Sequence, residues 1–265
     1  MTGLAQQDRC VCVLQAGVKE WDDWSITATV IGCPPAPLSR FRGPEVTEHL
    51  DRRADTTRVQ ILRAASRQFA RKSYSLVSLD DILADAEVTK GAMYFHFRSK
   101  YALASAIIEY RMASARASVD ELLARKLSGI ETLIDISYLV AIEDMGDETA
   151  RAGLNLLQSI GRTDGLQDDV LGQWVTAYAA ITRKAARDGD LIADRDPQSI
   201  ARLLVSMYLG LRQTSSLAQP ERLLHDLENM WLLVLPGFVK PDRIAYLNQF
   251  IKRRTAVALK KATSL

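Results

Sequence analysis

The sequence predicts an all-α protein, with a small three-helix head near the N-terminus and a larger helical body after it. Three observations carry that expectation. From about residue 55 onward, apolar residues recur at helical spacing through one segment after another. Between Ser78 and Phe97, two short capped segments are joined by a tight turn, the arrangement of a helix-turn-helix. One strand-like stretch, Trp21, Trp24 and Ile26 to Ile31, has nothing obvious to pair with.

Residues 1–50 show no sustained periodicity. Pro34, Pro35, Pro37 and Pro44, with Gly32 and Gly43, break any helix there, so a disordered arm is expected, basic at Arg40 and Arg42. A rival reading starts translation near Val46; mass spectrometry of the natural N-terminus decides between them. Cys10, Cys12 and Cys33 all lie in this stretch, and Cys-x-Cys with a distant third and no nearby histidine is a poor metal pattern. They are expected to be incidental thiols of a reduced protein, with no metal and no cofactor. No apolar run approaches the ~20 residues of a membrane span, and no basic-then-apolar leader opens the chain.

The head is expected over residues 51–100. Its first helix, about 55–72, places Ile61, Leu62, Ala65 and Phe69 on one face. Arg63, Arg67 and Arg71 lie opposite and read as a solvated face, while Arg58 is placed to touch a phosphate. Ser78 is an N-cap, and Asp81 completes a capping-box pattern before the stripe Leu79, Ile82, Leu83 and Ala86. Val88 sits in the turn, Thr89 caps the next helix, and Ser99-Lys100 opens a long one. Such a unit places its second helix in the DNA major groove. Candidate DNA contacts are Arg58, Ser78, Thr89, Lys90, Gly91, Tyr94, His96 and Lys100. The threonine, the lysine and the free N–H groups of a helix start suit base edges and phosphates. Gly91 lets the backbone approach closely. Net charge is only +2, so no global field draws nucleic acid. Residues 58–100 nevertheless hold eight Lys or Arg against four acids, a local basic excess.

The run VTKGAMYFHFRSKYAL resembles the recognition-helix signature of the tetracycline-repressor (TetR) family of bacterial transcription regulators, and RVQILRAASRQFARKSY resembles its first helix. The resemblance implies a homodimeric regulator, a repressor by family default, that binds a palindromic operator on double-stranded DNA and works in the bacterial cytoplasm at the nucleoid. Three departures stand out. Ser73 and Glu87 occupy places where glycine is usual, and Val77 one where threonine is common. A non-glycine at positive φ is strained, and Glu87 also puts a negative charge near the DNA-facing turn.

The body, residues 101–240, begins in an alanine-rich helix to about Leu127 with Leu103, Ala106, Ile107, Tyr110 and Ala113 on a stripe. In the family it links head to body and transmits ligand binding. Further helices are expected from the Ser128-Gly129 turn to Gly146, over 148–159, from 166 or 168 to Arg187, over 197–217 and over 220–235. Leu203, Leu204, Met207, Tyr208 and Leu211 form one broad apolar face; Leu223, Leu227, Met230, Trp231, Leu233 and Val234 form another. Their breadth suggests a subunit interface. Residues 241–265 read as a basic helix, with Lys252, Arg253, Arg254, Lys260 and Lys261 taken as a solvated face.

RAGLNLL (151–157), GQWVTAY (172–178) and MWLLVLPGFV (230–239) are similar to the γ-butyrolactone receptor branch of the family. That resemblance implies a small-molecule pocket, with Trp174 packing on the ligand and Gln158 and Tyr178 as polar neighbours. Read alone, Trp174 is more often an ordinary core tryptophan, and the branch resemblance brings the two readings level. The expected effector is small and hydrophobic, its identity open. An enzyme would need a reactive constellation. His49, His96 and His225 are scattered, Asp80-Asp81 and Asp168-Asp169 begin helices, and no nucleophile elbow, phosphate loop or zinc-protease motif appears. A third reading is a protein-interaction module whose DNA head is impaired by Glu87.

Overall fold

The computed structural model describes residues 44–162 and 165–264, with side chains from residue 56. It divides into two compact units, Met1–Arg52 and Arg53–Leu265; the account below concerns the second. The strand-like stretch, the three cysteines, Arg40, Arg42 and the His49 side chain lie outside the described residues.

Among those residues the secondary structure is helical, apart from one isolated antiparallel bridge between Leu191 and Val239. Helix α1 (Pro44–Arg71) leads through a 3-10 turn (Tyr74–Leu76) into α2 (Leu79–Ala86) and α3 (Lys90–His96). It begins earlier than the expected residue 55, so residues 44–50, assigned from sequence to the arm, are helical. Pro44 falls at the helix start, where its missing N–H costs nothing.

The caps read from sequence form as local chemistry dictates. Ser78 Oγ accepts from the Asp81 N–H at 3.0 Å, and the Asp81 carboxylate accepts from the Ser78 N–H. Thr89 Oγ1 accepts from the Ala92 N–H at 3.2 Å and starts α3. Glu87 closes α2 in the left-handed region, φ 54° and ψ 38°, where its N–H reaches back to the carbonyls of Leu83 and Ala84. Ser73 behaves differently: at φ −63° it needs none of glycine's freedom, so its departure from the family pattern carries no strain. Ile61, Phe69, Ile82, Met93 and Phe97 fill the head, with Leu79, Leu83 and Val88 half-buried against them.

Helix α4 (Lys100–Leu123), capped by Ser99, carries Leu103, Ala104, Ile107 and Ile108 into the core. Helices α5 (Gly129–Gly146), α6 (Glu148–Ile160), α7 (Leu166–Arg187), α8 (Pro197–Thr214), α9 (Pro220–Val234) and α10 (Pro241–Ala262) complete the body. Helix α5 is the hub. It is buried from Gly129 through Tyr138, and packs against α4, α6, α7, α9 and α10. At its start, a Cβ on Gly129 would lie 2.3 Å from the Ala185 backbone nitrogen, so only glycine allows α5 and α7 to meet this closely.

Two expectations change. The broad apolar faces of α8 and α9 mostly fill the body itself: Leu204, Met207, Tyr208, Leu211, Leu223, Leu227 and Trp231 are buried, and the Trp231 indole N–H donates to Ser137 Oγ at 2.8 Å. Leu203 and Leu233 stay outside, 45% and 80% exposed. On the basic C-terminal helix, Lys252, Arg253, Lys260 and Lys261 are exposed as expected, while Arg254 is half-buried. Arg254 pairs with Asp135 and the Tyr246 hydroxyl donates to Glu131, which fastens α10 along α5, and Arg243 pairs at 2.7 Å with Asp190 in the loop after α7. No helix among the described residues is long and apolar enough to cross a membrane.

Candidate nucleic-acid interface and effector cavity

The head presents α3 outward. Thr89 and Gly91 lie at its start with nothing packed on the glycine beyond the Thr89 hydroxyl, and Lys90, Tyr94 and Phe95 are exposed. Phe95, 79% exposed, was not singled out from sequence; an apolar ring one residue from a candidate contact was its signal. His96 is half-buried, edge-on to Phe95 with ring centres 5.0 Å apart. Ser78 gives its hydroxyl to the α2 cap.

Two candidates sit differently. The Arg58 guanidinium lies over the Phe97 ring at 5.3 Å, which ties α1 to the end of α3. The Lys100 ammonium donates to the Tyr74 carbonyl and stacks over the Tyr74 ring at 4.3 Å, and burial holds its pKa below the usual lysine value. Lys100 therefore pins α4 to the 3-10 turn. The arginines of α1 are also more than a solvated face. Arg67 grips both carboxylate oxygens of Asp85 on α2, at 3.0 and 3.1 Å, and that contact holds the Asp85 carboxyl below its ordinary range. Arg71 pairs with Glu148 of α6 at 2.8 Å.

The body holds a cavity of about 1040 Å³, open to solvent on one side, between α4, α5, α6, α7 and α8. Trp174 and Tyr178 both line it; the Trp174 indole N–H points at Met112 Sδ, 3.2 Å away, and enclosure pushes the Tyr178 hydroxyl pKa up. Gln158 is half-buried on α6 and is not on the cavity wall. Sequence reasoning missed the polar floor. Asp144 of α5 accepts from the Tyr208 hydroxyl at 2.6 Å and faces Arg212 Nε at 3.1 Å. Burial pushes the Asp144 carboxyl up, opposed by Arg212, Arg111 and the Tyr208 hydroxyl. Nearby, Arg111 of α4 bonds Glu143 at 2.7 Å, and Ser118 donates to the other Glu143 oxygen. Arg212 continues from the floor to Asn155 Oδ1 at 3.4 Å, and Asn155 donates to the carbonyls of Phe69 and Ala70 at the end of α1. The floor of the cavity and the last turn of the head's first helix thus share one chain of polar contacts.

An outward-facing helix-turn-helix carried on a helical body with its own ligand-sized cavity defines a one-component transcription regulator. Residues 61–107 match "Bacterial regulatory proteins, tetR family" and residues 127–240 match "Tetracyclin repressor-like, C-terminal domain". The chain belongs to the TetR family of bacterial transcription regulators, which are not enzymes. It is 29% identical over 196 residues to the A-factor receptor protein of Streptomyces griseus, covering 74% of this chain and 68% of that protein. A solved γ-butyrolactone receptor, described as ArpA-like, superposes with a TM-score of 0.67 at 31% identity, over 77% of this chain and 98% of the other. CprB of Streptomyces coelicolor, solved with its biological operator sequence, gives a TM-score of 0.64 at 30% identity, over 80% and 100%. Among the described residues no group of three His, Cys, Asp or Glu is placed to hold a metal ion.

Proposed function

We propose that the protein is a homodimeric repressor that reads a palindromic operator through α3 and releases it when a small, largely hydrophobic effector fills the body cavity. Thr89, Lys90 and Gly91 meet base edges, with Tyr94, His96, Ser78 and Arg58 on the sugar-phosphate backbone and Lys100 at the edge of that contact. One short helix reads few base pairs, and two of them related by a two-fold axis give usable specificity. Trp174 and Tyr178 flank the effector, with Gln158 behind the wall. The protein acts in the cytoplasm, on the nucleoid, and needs no cofactor.

The observation that supports the coupling is the polar chain from Tyr208 and Asp144 through Arg212 and Asn155 to the carbonyls of Phe69 and Ala70. A ligand that alters the cavity floor alters the packing of α1, while α4 carries the same change to the head through Arg111 and Met112. An effector shifts the population only to the extent that it binds the released arrangement better. Substituting Trp174→Ala tests this reading on a duplex selected from random DNA. The variant should hold that duplex as tightly as the parent and lose the ability to be released from it by a lactone such as γ-decalactone. Parallel loss of DNA binding would contradict it.

A further inference from the structure

We infer that Glu143 is a positioning residue that fixes which separation of operator half-sites the protein accepts, by gripping the linking helix α4 at two points. The inference rests on the homodimeric repressor reading above and goes further by assigning spacing specificity to a residue of the body.

Helix α4 is well packed where it leaves the head: Leu103, Ala104, Ile107 and Ile108 are buried. Beyond them the packing thins. After Ile108 the next buried positions of α4 are Arg111 and then Leu122, because this stretch runs over the cavity, whose wall takes in Met112, Ala115 and Val119. Side chains seated in a close-packed core resist the sliding and turning of a helix. A helix that crosses a hollow has few of them. The Trp174 N–H reaches Met112 Sδ there, but a thioether is a weak acceptor. The register of α4 over the cavity therefore depends on stronger, directional bonds.

Glu143 of α5 supplies them. One carboxylate oxygen accepts from the Arg111 guanidinium at 2.7 Å, and the other accepts from the Ser118 hydroxyl at 2.9 Å. Arg111 and Ser118 lie on one face of α4, two turns or about 10.5 Å apart. A shift of α4 along its axis, or a turn about it, lengthens at least one of the two bonds. Both bonds involve a charged group, which makes them stronger than neutral ones. The Arg111 and Glu143 side chains are only 11% and 20% exposed, so salt screens the pair little. Helix α6 braces the arginine from behind. A Cβ on Gly153 would lie 2.7 Å from Arg111 Cβ and 2.9 Å from Cγ, so the glycine is what lets the stem pass.

The same helix carries Leu103 and Ile107 in the core that the head residues share, so the setting of α4 against α5 decides where α3 points. Two protomers present two α3 helices to one duplex. A base pair added between half-sites moves one of them by about 3.4 Å and turns it by about 35°. A gripped α4 cannot follow. A loosened α4 samples neighbouring settings, meets altered spacings at less cost, and loses preorganisation for the native one.

The test uses the duplex that the full chain selects from random DNA, and two versions with one base pair added or removed at its centre. Fluorescence anisotropy gives the affinity of the parent, Glu143→Gln and Ser118→Ala for all three. The parent should bind both altered duplexes at least about tenfold more weakly, because one half-site falls out of reach. Glu143→Gln should shrink that penalty by about threefold or more, within the range of residues that carry coupling. Ser118→Ala deletes one bond and leaves the ion pair; it should shrink the penalty by about twofold, and it carries the test if Glu143→Gln does not fold. A role confined to stability would weaken all three duplexes alike and leave their ratio unchanged. That result, or a parent indifferent to spacing, would overturn the inference. A selected site without two-fold symmetry would overturn the repressor reading and the inference with it, and it shows before any spacing is varied.

Discussion

The side-chain amide of Asn155 donates to the Ala70 carbonyl at 3.3 Å, joining α6 of the body to the last turn of α1 in the head. The same amide accepts from Arg212, whose guanidinium faces Asp144 at the cavity floor. Each contact is ordinary, and their sequence is what matters: on the proposed function, Asn155 is where a cavity event reaches the head. Asn155→Ala should fold, keep operator affinity within a few-fold, and weaken release by γ-decalactone. Residues that carry coupling typically contribute ~0.5–2 kcal/mol, or about two- to thirtyfold. Anisotropy titrations of labelled operator with and without the lactone measure it; unchanged release would remove Asn155 from the path.

Glu87 holds a left-handed turn at φ 54° beside the DNA-facing helix. A side chain in that region costs roughly 1–2 kcal/mol, offset in part by the ~0.5–1 kcal/mol of chain entropy that glycine loses on folding. Glu87→Gly should therefore raise stability by up to about 1.5 kcal/mol in urea denaturation. It should also tighten binding to all duplexes, since a negative charge leaves the interface. A destabilised variant would show that Glu87 makes a contact stronger than its strain.

The Arg67–Asp85 contact ties α1 to α2 and makes the head sensitive to acid. Asp85 is depressed in the folded state by the hydrogen bond and charge of Arg67, and Asp81 by the Ser78 cap. A carboxyl with a lowered folded pKa contributes stability that is present above its unfolded value, near 4, and is lost as pH falls through the folded value. Denaturation from pH 7 down to acid should show this loss, and Asp85→Asn should start less stable and lose less on the same descent. A parallel slope in the variant would mean that Asp85 does not titrate differently on folding.

Burial separates two kinds of apolar residue that look alike in sequence. Trp231→Ala should cost about 3–5 kcal/mol, because a fully buried indole with a satisfied N–H leaves a cavity. Leu203→Glu with Leu233→Glu should leave the chemical denaturation of the protomer nearly unchanged, because both residues are already exposed. Sedimentation of that double variant asks whether these outward residues belong to the subunit contact; a persistent dimer would place the contact elsewhere.

Local chemistry explains what could be read from the chain alone. Ser78, Thr89 and Ser99 announce helix starts because a cap depends on residues three positions apart, and the structure uses all three. Trp174 and Tyr178, which line the cavity from α7, were reached through the resemblance to the γ-butyrolactone receptor branch and not through local chemistry. The cavity floor was not legible for the opposite reason. Asp144 meets Tyr208 across 64 residues, and Arg111 meets Glu143 across 32, so no window of sequence contains either pair. A hint was present in Arg111, a charged residue in register with Ile107 and Ile108, where a solvated face cannot be. Trp231 misled for a related reason: a wide apolar face says that it will be covered, and not by which chain.

The central claim is that the exposed α3 reads a symmetric DNA site. The most direct test is selection of bound sites from random duplex DNA by the full protein at two salt concentrations. The account predicts a palindromic consensus, retained at the higher salt, whose half-sites lie about one helical turn apart, or a multiple of that spacing. Weak binding without consensus that vanishes at moderate salt would contradict it, and Glu87 would then be the first residue to replace.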